Sequence, residues 1–268
     1  MDTSTFRTDV TNEGWQRAVH LEEVWGTVVI LEVRAEALPD NVENHLVEAA
    51  KFLHQVDDWF STYRIDTPIS ALRMGFADLA QMPEVIQKVL EQCNEIRELT
   101  GGAFDPWAVP GGVDPSGYVK GWAADVVADL LVERGLGNVS INAAGDLSCR
   151  GLQGPDQAWV VGIRHPFDDQ AIIGSAELLN NSMATSGEYE RGKHIVNPFT
   201  KDRQLNLVSA TVVGPDGGLA DALATALLIV GLDGVQWFQD FPDWSGFLVD
   251  AQTVHTFGPA FADIDAAN

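Results

Sequence analysis

Apolar positions first gather at residues 24–33 (VWGTVVILEV), where β-branched and apolar side chains follow one another and predict a largely buried strand. Residues 1–18 before it show no such pattern and read as a loose leader. From 41 to 63, Val42, Leu46, Ala49, Phe52, Leu53, Val56, Trp59 and Phe60 recur at helical spacing. A polar loop with Pro68 and a short helix near Ser70 come next. Residues 83–99 form a second amphipathic helix, with Pro83 near its start, where a missing N–H costs nothing. A helix over 121–134 ends at Gly135, a suitable C-cap. Short apolar segments at 139–141, 158–163, 172–178, 183–186, 207–213 and 247–249 lie between turn residues and read as strands. Residues 220–230 are apolar almost all round except at Asp221 and Thr225, and 234–241 make a further helix. Helices and strands cluster rather than alternate strictly, which favours α+β over a doubly wound parallel sheet.

Residues 100–120 break this rhythm. TGGAFDPWAVPGGVDPSGYVK holds five glycines and three prolines in 21 residues, too many breakers for a long element. Its aromatic and apolar content is too high for a disordered linker. Two readings fit: an ordered loop that brings backbone close to a ligand, or a structural crossover.

Charge narrows the partners. With 39 acidic residues against 16 Lys and Arg the formal charge is −23, and no basic cluster offers a nucleic-acid backbone the counterion release its binding requires. An anionic membrane surface is disfavoured for the same reason. Hydrophobic residues make up 46% of the chain, which excludes disorder. The longest run that is apolar but for one threonine, 222–230, is far short of the about 20 residues of a membrane span, so no membrane insertion is expected. The opening residues lack the charged-then-apolar plan of a secretory signal, and a cytoplasmic location is expected. Cys93 and Cys149 read as buried free thiols, since a disulfide framework needs more cysteine.

Few residues carry candidate chemistry. Asp221 and Thr225, at i and i+4, share one face of an otherwise apolar helix. A carboxylate there caps the helix, pairs with a charge, or binds a cation; an all-oxygen site would suit Mg²⁺ rather than Zn²⁺. His194 in RGKHIVNPFT is structural or catalytic, and its neighbours Arg191 and Lys193 are phosphate contacts or ordinary surface charge. Lys120 ends the Gly/Pro loop where a helix begins, a place suited to an anion, although the Walker spacing is absent. Ser186 offers a nucleophile for a hydrolase without the GxSxG elbow. Paired carboxylates for glycoside cleavage are available, as in any acidic chain.

Five segments in order, WGTVVIL, TGGAFDPW, DPSGYVKGWAAD followed by INAAGDL, ATSGEYERGKHIVNP, and ADALATAL, resemble the motifs of the ApbE-like FAD:protein FMN transferases. They span residues 25–227. The resemblance implies a T-fold-like α+β architecture, mixed and mostly antiparallel sheets packed with helices, in one FAD- and Mg²⁺-binding catalytic domain over 19–262. It implies transfer of FMN from FAD to a threonine or serine hydroxyl of an acceptor flavoprotein, with release of AMP. Carried over, it makes Asp221, Thr225 and the Gly117 carbonyl the metal ligands. Trp25, Tyr63, Ala103, Phe104, Asp105, Asp114, Lys120 and Val196 become FAD contacts, and His194 the catalytic candidate, as base or as phosphate-positioning group. Departures are visible: Asn197 replaces an aspartate, Lys201 a glycine, DPSG replaces DLGG and INAAGD replaces NIGGD. Two alternatives stay open, an FAD pyrophosphatase giving FMN and AMP, and a non-catalytic flavin-binding protein.

Overall fold

The apolar run at 24–33 is two strands rather than one. In a computed structural model that describes residues 5–187, 195–201 and 205–261, β2 (Gln16–Val24) and β3 (Thr27–Ala35) form a hairpin. Its turn is Trp25–Gly26, both at positive φ (58° and 71°), as two-residue turns matching the strand twist require. Tryptophan is not a turn former, so the break is invisible in the pattern. The loose leader expected over 1–18 is corrected as well. Thr5–Val10 form β1, paired antiparallel with β2. This edge strand carries polar side chains such as Arg7 and Asp9, so it lacks the apolar alternation that marks a half-buried strand.

The helices follow their periodicity. They are α1 (Val42–Phe60), α2 (Pro68–Arg73) and α3 (Glu84–Leu99). α4 (Ser116–Glu133) begins five residues before the predicted start, and its first turn contains Gly117 in a non-helical conformation (φ −81°, ψ 17°). Then come β4 (Val139–Ala143), β5 (Asp146–Arg150), β6 (Trp159–His165), β7 (Asp168–Leu178), β8 (Ser182–Gly187) and β9 (Ser209–Gly214). After α5 (Gly217–Val230), the helix expected over 234–241 is a 3₁₀ helix, Gly231–Phe238, and β10 (Ser245–Val249) and β11 (Val254–Phe257) close the order. β5 and β11 were not predicted. β5 turns its polar residues Asp146 and Ser148 inward, the reverse of the usual pattern.

Among the described residues one sheet runs β1-β2-β3-β4-β5-β8-β9-β10-β11, and every pairing is antiparallel. This is the α+β class expected. The main core holds Leu31, Leu46, Leu53, Ile86, Leu131 and Ile141, each worth about 1.5–3 kcal/mol on burial. The β6–β7 hairpin builds a separate cluster from Trp159, Ile163 and Leu178 with Phe247 and Phe261. α5 is apolar on nearly all sides because it packs against α4, β8 and β9 at once. The stretch Gly217–Phe238 is long and apolar enough to cross a membrane, yet 67% of its most apolar window is buried inside the fold.

α4 and α5 cross at backbone contact. A Cβ added at Gly121 would lie 2.0 Å from the Gly217 carbonyl oxygen, so only glycine permits this approach. Cys93 and Cys149 are free and buried, and burial pushes both thiols up to about 12.

Candidate active site

The crossing sets two stripes against each other. Gly117, Gly121 and Asp125 recur every four residues on α4, and Gly217, Asp221 and Thr225 do so on α5. The pairing runs antiparallel: Asp125 accepts from the Gly217 N–H at 2.5 Å, while a Cβ on Gly117 would sit 3.6 Å from Thr225 Oγ1. Lys120, beside this stripe, pairs with Asp146 Oδ2 and lies 3.8 Å from Asp221 Oδ2. Both carboxylates are buried, Asp146 at 2% and Asp221 at 4% exposure. Ser186 on β8 brings its hydroxyl to 3.0 Å from Thr225 Oγ1.

This arrangement removes one reading of Asp221. The α5 cap is Asp216, whose side chain accepts from the Leu219 N–H at 2.8 Å. Burial first, with Asp125 adding repulsion, raises the Asp216 carboxyl above its ordinary range. Asp221 lies in the second turn, beyond the orphan N–H groups a cap serves.

Asp221, Thr225, Gly117 and Lys120 line a lobe of about 400 Å³, together with Ala103, Phe104, Asp105, Asp114 and Val196. A second lobe of about 950 Å³ contains Trp25, Arg64 and Arg164, and it shares Tyr63, Ser116, Lys120 and Ala144 with the first. The two therefore form one continuous cleft. Every expected site residue that is described lines one lobe or both. His194 lies outside the described residues, as do Arg191 and Lys193.

The Gly/Pro loop is ordered by specific bonds. Arg73 donates to the Val113 carbonyl at 2.8 Å and to Pro110 at 3.2 Å. Asp105 accepts from the Trp107 N–H and pairs with Arg97 at 3.1 Å, and Asp114 accepts from the Ser116 N–H. Both carboxylates thus shape the wall they line. Tyr63 is fully exposed at the junction of the lobes.

The structure gives several residues a role that their sequence context does not. Asp146 sat inside a quoted motif, but its partnership with Lys120 spans 26 residues and leaves no local trace. Ser186 was weighed as a nucleophile, yet its hydroxyl meets Thr225, and no histidine is among the described residues of that lobe. Asn197 accepts from the Phe199 and Thr200 N–H groups at 3.0 and 3.3 Å. That turn needs one side-chain oxygen, which asparagine supplies as well as aspartate. Ala144 stands at φ 59° in the β4–β5 turn, where the resembled motif has glycine.

A cation fits this donor set. One carboxylate, one hydroxyl and a backbone carbonyl at Gly117 are hard oxygen ligands suited to Mg²⁺ completed by substrate oxygens and water. Among the described residues no group of three or more His, Cys, Asp or Glu side chains is placed to hold a metal ion, so a cation here would rely on hydroxyl, carbonyl and substrate oxygens beside Asp221.

The ApbE family model matches residues 25–111 and 110–246. A Salmonella typhimurium protein named FAD:protein FMN transferase is 32% identical over 134 residues, 46% of this chain and 38% of its own length. A Rhodobacter capsulatus protein of the same name is 30% identical over 212 residues, 75% of this chain and 36% of its own. The chain thus spans well under half the length of these curated relatives. Among solved structures, the flavin transferase ApbE from Vibrio cholerae superposes with a TM-score of 0.81 at 20% identity, covering 93% of this chain and 99% of that one. The Pseudomonas stutzeri flavinyl transferase ApbE in its apo form gives 0.76 at 18% identity over the whole of both chains. The family model covers most of the cleft-building sequence, the solved structures share the fold, and so the chain belongs to the ApbE family.

Proposed function

We propose that this protein is a Mg²⁺-dependent FAD:protein FMN transferase that moves FMN from FAD to a threonine or serine hydroxyl of an acceptor protein and releases AMP. The observation that carries this reading is the convergence of Asp221, Thr225 and Gly117 beside Lys120 in one lobe. Asp146 and Asp221 both approach the Lys120 ammonium there, and a buried carboxylate beside a hydroxyl is a place where a hard cation is favoured. When bound, Mg²⁺ neutralises charge that builds on the diphosphate as AMP leaves.

The chain's own residues do the rest. Lys120, between the lobes, supplies positive charge to the diphosphate. The Gly-rich loop offers backbone without obstructing side chains. The acceptor hydroxyl attacks the FMN-side phosphorus: its O–P bond forms, the bridging P–O bond breaks, and the electron pair leaves with AMP. We assign His194 the hydroxyl proton as general base, or the positioning of the phosphates, on the resemblance of HIVNP to the family motif. The two free, buried thiols suit a reducing, cytoplasmic setting.

The test is incubation with FAD, Mg²⁺ and a threonine-bearing acceptor peptide, followed by mass spectrometry. An FMN-sized adduct on the peptide is expected. Free FMN plus AMP without an adduct would make the enzyme a pyrophosphatase, and unchanged FAD would make it a binding protein.

A further inference from the structure

Asp125 stands on α4 about two turns beyond Gly117 and touches three other elements at once. Its Oδ2 accepts from the Gly217 N–H at the start of α5 at 2.5 Å. Its Oδ1 accepts from Ser148 on β5 at 2.6 Å and from Ser182 on β8 at 2.5 Å. Arg150 balances the charge, reaching Asp125 at 3.3 Å while donating to Ser148 Oγ at 3.0 Å. α5 and β8 deliver cleft residues a few positions on, and β5 delivers Asp146, the partner of the cleft residue Lys120. Gly217 leads to Asp221 and Thr225 by four-residue steps along α5. Ser148 shares a strand face with Asp146, and Ser182 shares one with Ser186. None of these bonds reaches the cleft itself, because Asp125 lines neither lobe.

We propose that Asp125 is a positioning residue for the cation and flavin site: it fixes the registers of α5, β5 and β8 against α4 and so sets the spacing among Asp221, Thr225, Asp146, Lys120 and Ser186. The proposal rests on the cation-binding reading given above. Small sliding of α5 along α4 is the freedom to be suppressed, since the glycine contact at Gly121 and Gly217 offers no side chains to interlock. The Asp125 bond to the Gly217 N–H supplies that stop, using a helix N–H that has no intrahelical partner.

The experiment compares wild type with Asp125→Ala, with the double variant Ser148→Ala/Ser182→Ala, and with Val42→Ala as a destabilised control on α1. Tm is followed during Mg²⁺ titration with FAD present, and flavin transfer is assayed at the same Mg²⁺ concentrations. Asp125→Ala and the serine pair should weaken apparent Mg²⁺ affinity by about 10-fold or more, the usual effect of losing a group that orients ligands. Turnover should recover toward wild type at saturating Mg²⁺. Val42→Ala should lower Tm without moving the Mg²⁺ dependence. Where Asp125→Ala does not fold, the serine pair carries the test. Unchanged Mg²⁺ affinity in the folded clamp variants overturns the proposal, as does an equal weakening in Val42→Ala. A wild type without any Mg²⁺ response overturns the cation-site reading instead, and this proposal with it.

Discussion

The Lys120 ammonium approaches two buried carboxylates, so its removal is costly. Removing one partner of a buried charge group typically costs about 3–5 kcal/mol, because the remaining charges stay out of water. Lys120→Met should lose stability on that scale in metal-free buffer. Mg²⁺ should restore part of it, since a cation beside Asp221 would offset the charge that Lys120 no longer meets; thermal denaturation with and without Mg²⁺ checks both halves. Equal loss in both buffers would argue against a cation at this carboxylate. Ala144 is the opposite case, a residue whose replacement should help. At φ 59° its Cβ carries a left-handed penalty of about 1 kcal/mol or more, so Ala144→Gly should gain roughly that much in urea unfolding, net of glycine's own entropy cost. The sequence marked this position only as part of INAAGD, a departure from the resembled motif, and gave no sign of the positive φ. It hid Trp25, whose positive φ contradicts its residue type.

At the scale of elements, the helices were legible and the strand registers were not. α1, α3 and α5 follow from apolar spacing because each presents a continuous face to the core, and that spacing is local. β1 and β5 were hidden for opposite reasons, one polar at an edge and one carrying Asp146 and Ser148 inward. The shared face of Asp221 and Thr225 was legible because an i, i+4 repeat is also local. The Asp125 hub was not, since its serine partners lie 23 and 57 residues away. The α4–α5 crossing decides whether these groups meet. Gly121→Ala places a Cβ against the Gly217 carbonyl, a backbone group that has no rotamer to yield. Such overpacking should cost about 3 kcal/mol, and it should depress flavin transfer beyond the loss of folded protein, because separated helices part Lys120 from Asp221. Activity corrected for folded fraction tests the second effect. A corrected rate equal to wild type would show that the crossing supports stability alone.

The whole molecule carries a formal charge of −23, and that bears on how an anionic substrate arrives. The proposed substrate FAD is itself negatively charged through its diphosphate, so the long-range field opposes the encounter. The cleft counters locally with Lys120, Arg164 and Arg64, but Arg64 is already engaged by Asp57, Asp58 and Asp66. Short-range attraction therefore acts only near the mouth, whereas repulsion acts over the whole approach. Salt separates the two, because the Debye length falls from about 30 Å at 0.01 M to about 8 Å at 0.15 M. Screening should remove the distant repulsion first and leave the contacts within the cleft less affected. The association rate for FAD should thus rise with added salt at fixed Mg²⁺, the reverse of the steering seen between opposite charges. Stopped-flow flavin fluorescence across that salt range reads the sign directly. A rate that falls with salt would mean that the three basic side chains, and not the acidic surface, govern the approach to the cleft.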